Sequence, residues 1–186
     1  ARPSKIHFTG SVRTGKKIME LASKQLIPVD LELGGKDPSI VFEDVDLERT
    51  VNGIMWGAFT NAGQSCTSIE RLYVHESIYD NLLEMLVDKT KKLRLSTPDV
   101  DYKNPDSCDV GAVTAEFQIK IIEDHIKDAV EKGATILTGG KREGDSHHFP
   151  PTIVADVDHS FKIASEETFG PVVAVMKFKD EAEAIR

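Results

Sequence analysis

Two side chains in this sequence are of types that do covalent and proton-transfer chemistry. Cys66 lies in the small, polar run Gly63-Gln64-Ser65-Cys66-Thr67-Ser68, directly after a helical pattern. A structural cysteine usually sits among hydrophobic residues as a small apolar filler. One in a polar, glycine-bearing loop can present its sulfur outward, where the thiolate is a nucleophile. The residues alone leave both a reactive and an inert thiol open. Cys108, between Ser107 and Asp109, has no motif around it and reads as incidental. Glu32 ends the alternating run Val29, Asp30, Leu31, Glu32, Leu33, just before Gly34-Gly35. C-terminal ends of parallel strands open onto the ligand crevice, so a carboxylate there can take a proton from water. The plainer alternative is an exposed strand residue between two inward leucines.

Two turns are candidates for holding a ligand. Residues 10–15 (GSVRTG) join a strand-like run to a helical one. Glycines there let the backbone approach a phosphate, and the helix start attracts the anion. The run 10–17 nearly matches a P-loop but has Lys17 where a hydroxyl must hold magnesium. A phosphate-contacting turn survives that test; a nucleotide triphosphatase does not. Residues 166–171 (EETFGP) read, on physics alone, as a capped surface turn. His147-His148 are adjacent in a hydrophilic loop with no Cys or His at metal-ligand spacing, so solvated histidines and no metal site are expected.

The elements that must position these groups alternate. A strand over 5–11 is followed by a helix over 14–26 with Ile18, Leu21, Ala22 and Leu26 inward, then by strands at 29–33 and 39–42. A helix over 47–59 follows, acidic at its start, with Trp56 and Phe59 expected to pack on or beside its core face. Next come a strand at 71–75, a helix over 78–93 and a loop over 96–109. A third helix, over 115–132, is expected to bury Phe117, Ile121, Ile122, Ile126 and Val130. Strands at 134–138, 152–157 and 172–178 complete the pattern. Strand and helix in this order predict an α/β layer fold with parallel pairing.

Composition sets further bounds. The net charge is −8, and no Lys/Arg block suggests nucleic acid; Lys89-Thr90-Lys91-Lys92 suits a helix C-terminus. No apolar run is long enough for a membrane span. Two cysteines are too few for a disulfide framework, so a reducing, cytoplasmic setting is expected. The first residues lack the apolar stretch of a secretory leader, and both ends read as cut from something longer.

Four strings in order, FTGS (8–11), ELGGKDP (32–38), GQSC (63–66) and EETFGPV (166–172), together resemble the NAD(P)-dependent aldehyde dehydrogenase superfamily over nearly the whole chain. The resemblance implies residues 1–35 as the end of a Rossmann-type cofactor domain and 36–186 as part of an α/β catalytic domain. It implies Cys66 as the nucleophile that forms a thiohemiacetal and then a thioester, its N–H helping to hold the oxyanion. Glu32 is implied as the base for hydrolysis to a carboxylic acid. Gly10, Ser11 and Gly15 are implied at the pyrophosphate, Leu33 and Gly34 beside the nicotinamide, Glu167 on its ribose and Phe169 against the cofactor. NAD or NADP, a small-molecule aldehyde and a homo-oligomeric parent follow from the same likeness. The family's chain is much longer. Its adenosine-binding strands, its oxyanion asparagine and its ribose-contacting lysine should precede residue 1. The isolated chain as a non-catalytic structural fragment therefore stands as an alternative. A cysteine hydrolase, with Cys66 and an unplaced histidine, is a third reading.

Overall fold

The computed structural model describes residues 2–96, 100, 101, 103, 104, 107–142 and 144–186. Parts of the expected loops at 96–109 and 139–148 lie outside the described residues. The chain divides into two compact units, Ala1–Gly35 and Lys36–Arg186.

In the first unit, β1 (Ile6–Gly10) and β2 (Val29–Leu33) pair in parallel, joined by helix α1 (Val12–Ser23). The helix begins two residues earlier than the apolar pattern predicts, because the Ser11 hydroxyl accepts the Thr14 N–H (3.3 Å) and caps the first turn. It also ends earlier. Leu26 lies outside it, in a left-handed turn (φ 54°), and is 89% exposed rather than inward. Leu21 is exposed as well, because the face against the strands is built from Gly15, Ile18 and Ala22. Gly15 permits that approach: a Cβ there would stand 2.8 Å from Leu33 Cδ2.

The second unit is a three-layer α/β/α arrangement. Its sheet has the order β3-β4-β7-β6-β5: β3 (Asp37–Val41), β4 (Ile69–His75), β7 (Val172–Phe178), β6 (Thr152–Ala155) and β5 (Thr135–Thr138). Only β5 runs antiparallel to its neighbour. Alternation along β7 feeds two cores. Val173 and Val175 join Leu72, Val74 and Ile153 beneath α2 (Leu47–Phe59) and α3 (Tyr79–Thr90). Val172, Ala174, Met176 and Phe178 join Ile119, Ile122, Ile126 and Phe149 beneath α4 (Glu116–Glu131) and the short α5 (Lys162–Ser165). A final short helix, α6 (Glu181–Ile185), follows β7. Near-complete burial on both faces explains why β7 reads as a continuous apolar run.

Three expected core residues face outward. Trp56 is 74% exposed and Phe117 is 68% exposed. Each is two residues, about 200° of helix rotation, from a buried isoleucine: Ile54 in α2 and Ile119 in α4. Val130 sits at the rim of the α4 stripe, in its last turn, and is also exposed. The histidine pair is anchored rather than simply solvated. His147 Nδ1 bonds the Val113 carbonyl (3.0 Å), and His148 Nε2 is buried without a partner among the described residues.

An ion pair closes the segment after α3. Arg94 donates through Nε to Asp109 Oδ2 (2.9 Å) and through Nη2 to Oδ1 (2.8 Å), and its backbone N–H also reaches Oδ2 (2.7 Å). These bonds, the guanidinium's first and the backbone's second, pull the Asp109 pKa down to about 2. A carboxylate depressed in the folded state contributes stability that is present above its unfolded value, about 3.9, and is lost as pH falls through about 2. Acid unfolding of Asp109→Asn is therefore expected to show lower stability than the parent above about pH 4, with the gap closing toward pH 2. A gap independent of pH would contradict the assignment. The pair is partly exposed, so its contribution is small.

Candidate active site

The parallel pairing of β1 and β2 sets Thr9 opposite Glu32 and Gly10 opposite Leu33. The C-terminal ends of both strands therefore bring Gly10 and Ser11 beside Glu32, Leu33 and Gly34. Ser11 and Glu32 are both exposed. Gly15 is not part of the turn: it is buried in the first turns of α1, where it serves helix packing against Leu33. Gly15 thus lies one turn into the helix, not in the tight turn expected of it with Gly10.

In the second unit the motif residues gather at the N-terminal ends of the strands. Lys36 precedes β3, Cys66 lies three residues before β4, and 166–171 leads into β7. The turn carrying Cys66 is built with unusual backbone. After α2, Asn61 (φ 53°), Ala62 (φ 56°) and Gly63 (φ 68°) are all left-handed. For Ala62 this conformation costs about 1–2 kcal/mol, so something must hold it. Asn61 Nδ2 donates to the Gln64 carbonyl and Gln64 Nε2 to the Asn61 carbonyl, both at 2.9 Å. Gln64 also spans to a second segment: Nε2 donates to the Ala112 carbonyl (3.2 Å) and Oε1 accepts the Thr114 N–H (2.8 Å).

On the other side of the thiol, buried Ser68 donates to the Gly57 and Ala58 carbonyls (3.2 and 3.3 Å) at the end of α2. Cys66 stands between these two anchors, exposed and with no disulfide. Among the described residues none accepts a hydrogen bond from its N–H, which leaves that donor available to a developing oxyanion.

Gly63 joins this turn to the 166–171 segment. A Cβ on Gly63 would fall 2.0 Å from the Gly170 carbonyl oxygen, a backbone atom that cannot swing aside. Gly63→Ala is expected to lose about 2–4 kcal/mol, from overpacking and left-handed strain together, read as a lowered urea midpoint. An unchanged midpoint would show that this approach is looser than it looks.

The 166–171 segment is far from a plain surface turn. Phe169 is itself left-handed (φ 47°) and half-buried. Glu70, 3% exposed at the start of β4, accepts the Phe169 N–H at Oε1 (2.8 Å) and the Thr168 N–H at Oε2 (2.9 Å). Lys36 Nζ donates to Glu70 Oε2 (2.5 Å) and to the Thr168 hydroxyl (2.9 Å). Burial is the largest influence on the Lys36 ammonium and holds its pKa below the ordinary lysine range, against the opposing pull of Glu70. Arg71 Nε donates to the Lys36 carbonyl (2.9 Å), and Gln118 Nε2 to the Thr168 carbonyl (2.7 Å).

His125 Nδ1 lies 3.1 Å from the Thr168 hydroxyl. Burial first, and the Lys36 charge second, hold this histidine below its usual pKa. The Nδ1–Thr168 contact therefore joins two uncharged groups near pH 7, its direction set by the imidazole tautomer.

Sequence reasoning misses this network. Lys36 falls inside the ELGGKDP string without a role of its own, and Glu70 falls just before the strand expected at 71–75. Simple alternation does not reveal it: the β3–β4 register shifts at Glu70, so Ile69 rather than Glu70 packs with Leu72 and Val74. Among the described residues no cluster of His, Cys, Asp or Glu is arranged for a metal ion, and no helix is long and apolar enough to cross a membrane.

The sequence model of the Aldehyde dehydrogenase family matches residues 1–186. Succinate-semialdehyde dehydrogenase [NADP(+)] GabD of Escherichia coli (strain K12) is 41% identical over 186 residues, covering 97% of this chain and 37% of that protein. Betaine aldehyde dehydrogenase 1 of Oryza sativa subsp. japonica is 44% identical over 184 residues, covering 97% of this chain and 35% of that protein. Among solved structures, a betaine aldehyde dehydrogenase from Staphylococcus aureus in complex with NAD+ superposes with a TM-score of 0.91 at 37% identity. That match covers 98% of this chain and 36% of the other. The chain thus spans about a third of the length of the curated relatives it matches.

Proposed function

Since this chain belongs to the aldehyde dehydrogenase family, we propose that it carries the nucleophile and the base of an enzyme oxidising a small-molecule aldehyde to a carboxylic acid with NAD+ or NADP+. The observation that supports this most is Cys66: an exposed thiol on a turn pinned at Gln64 and at Ser68. An inert structural cysteine would be buried among apolar side chains instead.

In this reading the Cys66 thiolate attacks the aldehyde carbon, forming a C–S bond and a tetrahedral oxyanion that the Cys66 N–H helps to hold. A bound nicotinamide supplies the acceptor for the hydride whose loss turns the thiohemiacetal into a thioester. Glu32 takes a proton from water, which adds to the thioester carbon; the C–S bond breaks and the acid leaves. An exposed carboxylate at the end of β2 suits that exchange of protons with solvent.

The chain's own residues fit the cofactor. Gly10 and Ser11 lie at the end of β1, where a phosphate meets the start of α1. The same strand ends carry Leu33 and Gly34, proposed beside the nicotinamide. Glu167, on the segment that Glu70 holds, is proposed for the ribose, and Phe169 for the nicotinamide side of the cofactor. Residues 1–35 then close a Rossmann-type cofactor domain, and 36–186 belong to the catalytic domain. The reading extends to a cytoplasmic homo-oligomer that engages neither nucleic acid nor membrane.

A second reading concerns the chain by itself. Because it spans about a third of its relatives' length, the isolated polypeptide is proposed to be a non-catalytic segment. The test is NADH and NADPH formation across a panel of aldehydes, by this chain and by a full-length enzyme that contains it. Turnover in the full-length enzyme and silence in the segment are expected. Ester hydrolysis without nucleotide, with no aldehyde oxidation, would instead favour a cysteine hydrolase.

A further inference from the structure

Of the buried charges in this molecule, Glu70 and Lys36 have no part in the mechanism above, yet they meet the segment it depends on. Glu70 occupies a strand end where an apolar side chain would serve the core. Its two oxygens instead accept two consecutive backbone N–H groups, Thr168 and Phe169. The second of these has the left-handed backbone that a phenylalanine adopts only under constraint. Lys36 neutralises the carboxylate and ties it to the Thr168 hydroxyl, and His125 completes that hydroxyl's bonding. The segment is thus gripped from β3, β4 and α4 at once, immediately beside Glu167 and at Phe169.

We propose that Glu70 and Lys36 are a positioning pair that sets cofactor affinity by fixing the backbone of Thr168 and Phe169, and so the placement of the Glu167 and Phe169 side chains. This rests on the cofactor roles given above for those two residues. Neither Glu70 nor Lys36 touches the reacting atoms. Their effect passes through the segment they hold; the thiol turn packs on that segment at Gly63 and Gly170 but has its own hydrogen bonds at Gln64 and Ser68, so its sulfur is expected to stay in place when an oxygen acceptor is removed.

The experiment uses a full-length enzyme containing this chain and its Glu70→Gln variant, which keeps the shape but offers one acceptor oxygen in place of two. Three quantities are measured: amide hydrogen exchange at Thr168 and Phe169, Kd for NAD+ and NADP+, and the rate of Cys66 alkylation by iodoacetamide. Exchange at the two amides is expected to speed up by at least about 10-fold, and Kd to rise by about 10-fold, as for one lost charge-assisted hydrogen bond. Alkylation of Cys66 is expected to stay unchanged. Thr168→Val, which removes only the hydroxyl held by Lys36 and His125, is expected to raise Kd by a smaller factor, and it decides the matter if Glu70→Gln does not fold.

Parent-like exchange and parent-like Kd in the folded variants would overturn the proposal. So would a Kd rise matched by an equal change in Cys66 alkylation, which marks a general structural role. A parent enzyme that binds neither nucleotide overturns the cofactor reading itself; amide exchange at Thr168 and Phe169 then still reports whether Glu70 holds the segment.

Discussion

Cys66→Ala is expected to abolish aldehyde oxidation in the full-length enzyme, with kcat falling by at least about 10⁴-fold. Losses of that size follow when the nucleophile of a covalent mechanism is removed. The reason is local. The thiol carries the only sulfur on its turn, so no neighbour can form the C–S bond in its place; the Ser65 and Thr67 hydroxyls bond one another (3.1 Å). Gln64 and Ser68 keep the turn in place without the sulfur, so the loss of rate should come with no loss of fold. Steady-state NAD(P)H formation, set beside a thermal melt, checks both. A variant retaining more than about a hundredth of the parent rate, against the far larger loss expected for a nucleophile, would remove Cys66 from the mechanism.

Glu32→Gln should fail later in the cycle. C–S bond formation and hydride loss do not need this carboxylate, so the first turnover is retained and NAD(P)H appears in a burst equal to the enzyme. Thioester hydrolysis then slows by about 10²–10⁴-fold, the usual contribution of a general base. Stopped-flow absorbance separates the phases. Glu32 is exposed at a strand end, with Thr9 opposite it in the ladder, so glutamine should fit there without strain. Loss of the burst itself would assign Glu32 to an earlier step.

Much of this arrangement is legible in the sequence. Alternation at 29–33 and the apolar run at 172–178 mark strands, and the helical stripes of α2, α3 and α4 give the two outer layers of the second unit. The four motif strings name the segments that carry the candidate site. What periodicity does not supply is rotation. A three-residue stripe fixes a helix's buried face only once its partner is known, so periodicity points Trp56, Phe117 and Leu21 inward where the packing turns them outward. A run of three left-handed residues at 61–63 leaves only a partial trace in composition, since Gly63 and Asn61 tolerate that backbone but Ala62 does not.

The Lys36–Glu70–Thr168 network illustrates a different gap. Its members are far apart in the chain, and their partnership depends on β4 lying between β3 and β7. Sheet order is a non-local property, and the register shift at Glu70 removes even the hint that alternation along β4 would give. Gly15 shows the converse. Its spacing from Gly10 reads as part of a tight turn, whereas the structure places it inside α1, where its missing side chain seats Leu33.

The central claim is that Cys66 carries the substrate as a thioester. The direct measurement is the mass of the peptide containing Cys66 after a Glu32→Gln full-length enzyme is quenched from aldehyde plus NAD+ or NADP+. The expected adduct has the aldehyde's mass less two hydrogens, forms only with oxidised nucleotide, and is released by hydroxylamine. An unmodified Cys66 after a full burst, or an adduct that needs no nucleotide, would contradict the account.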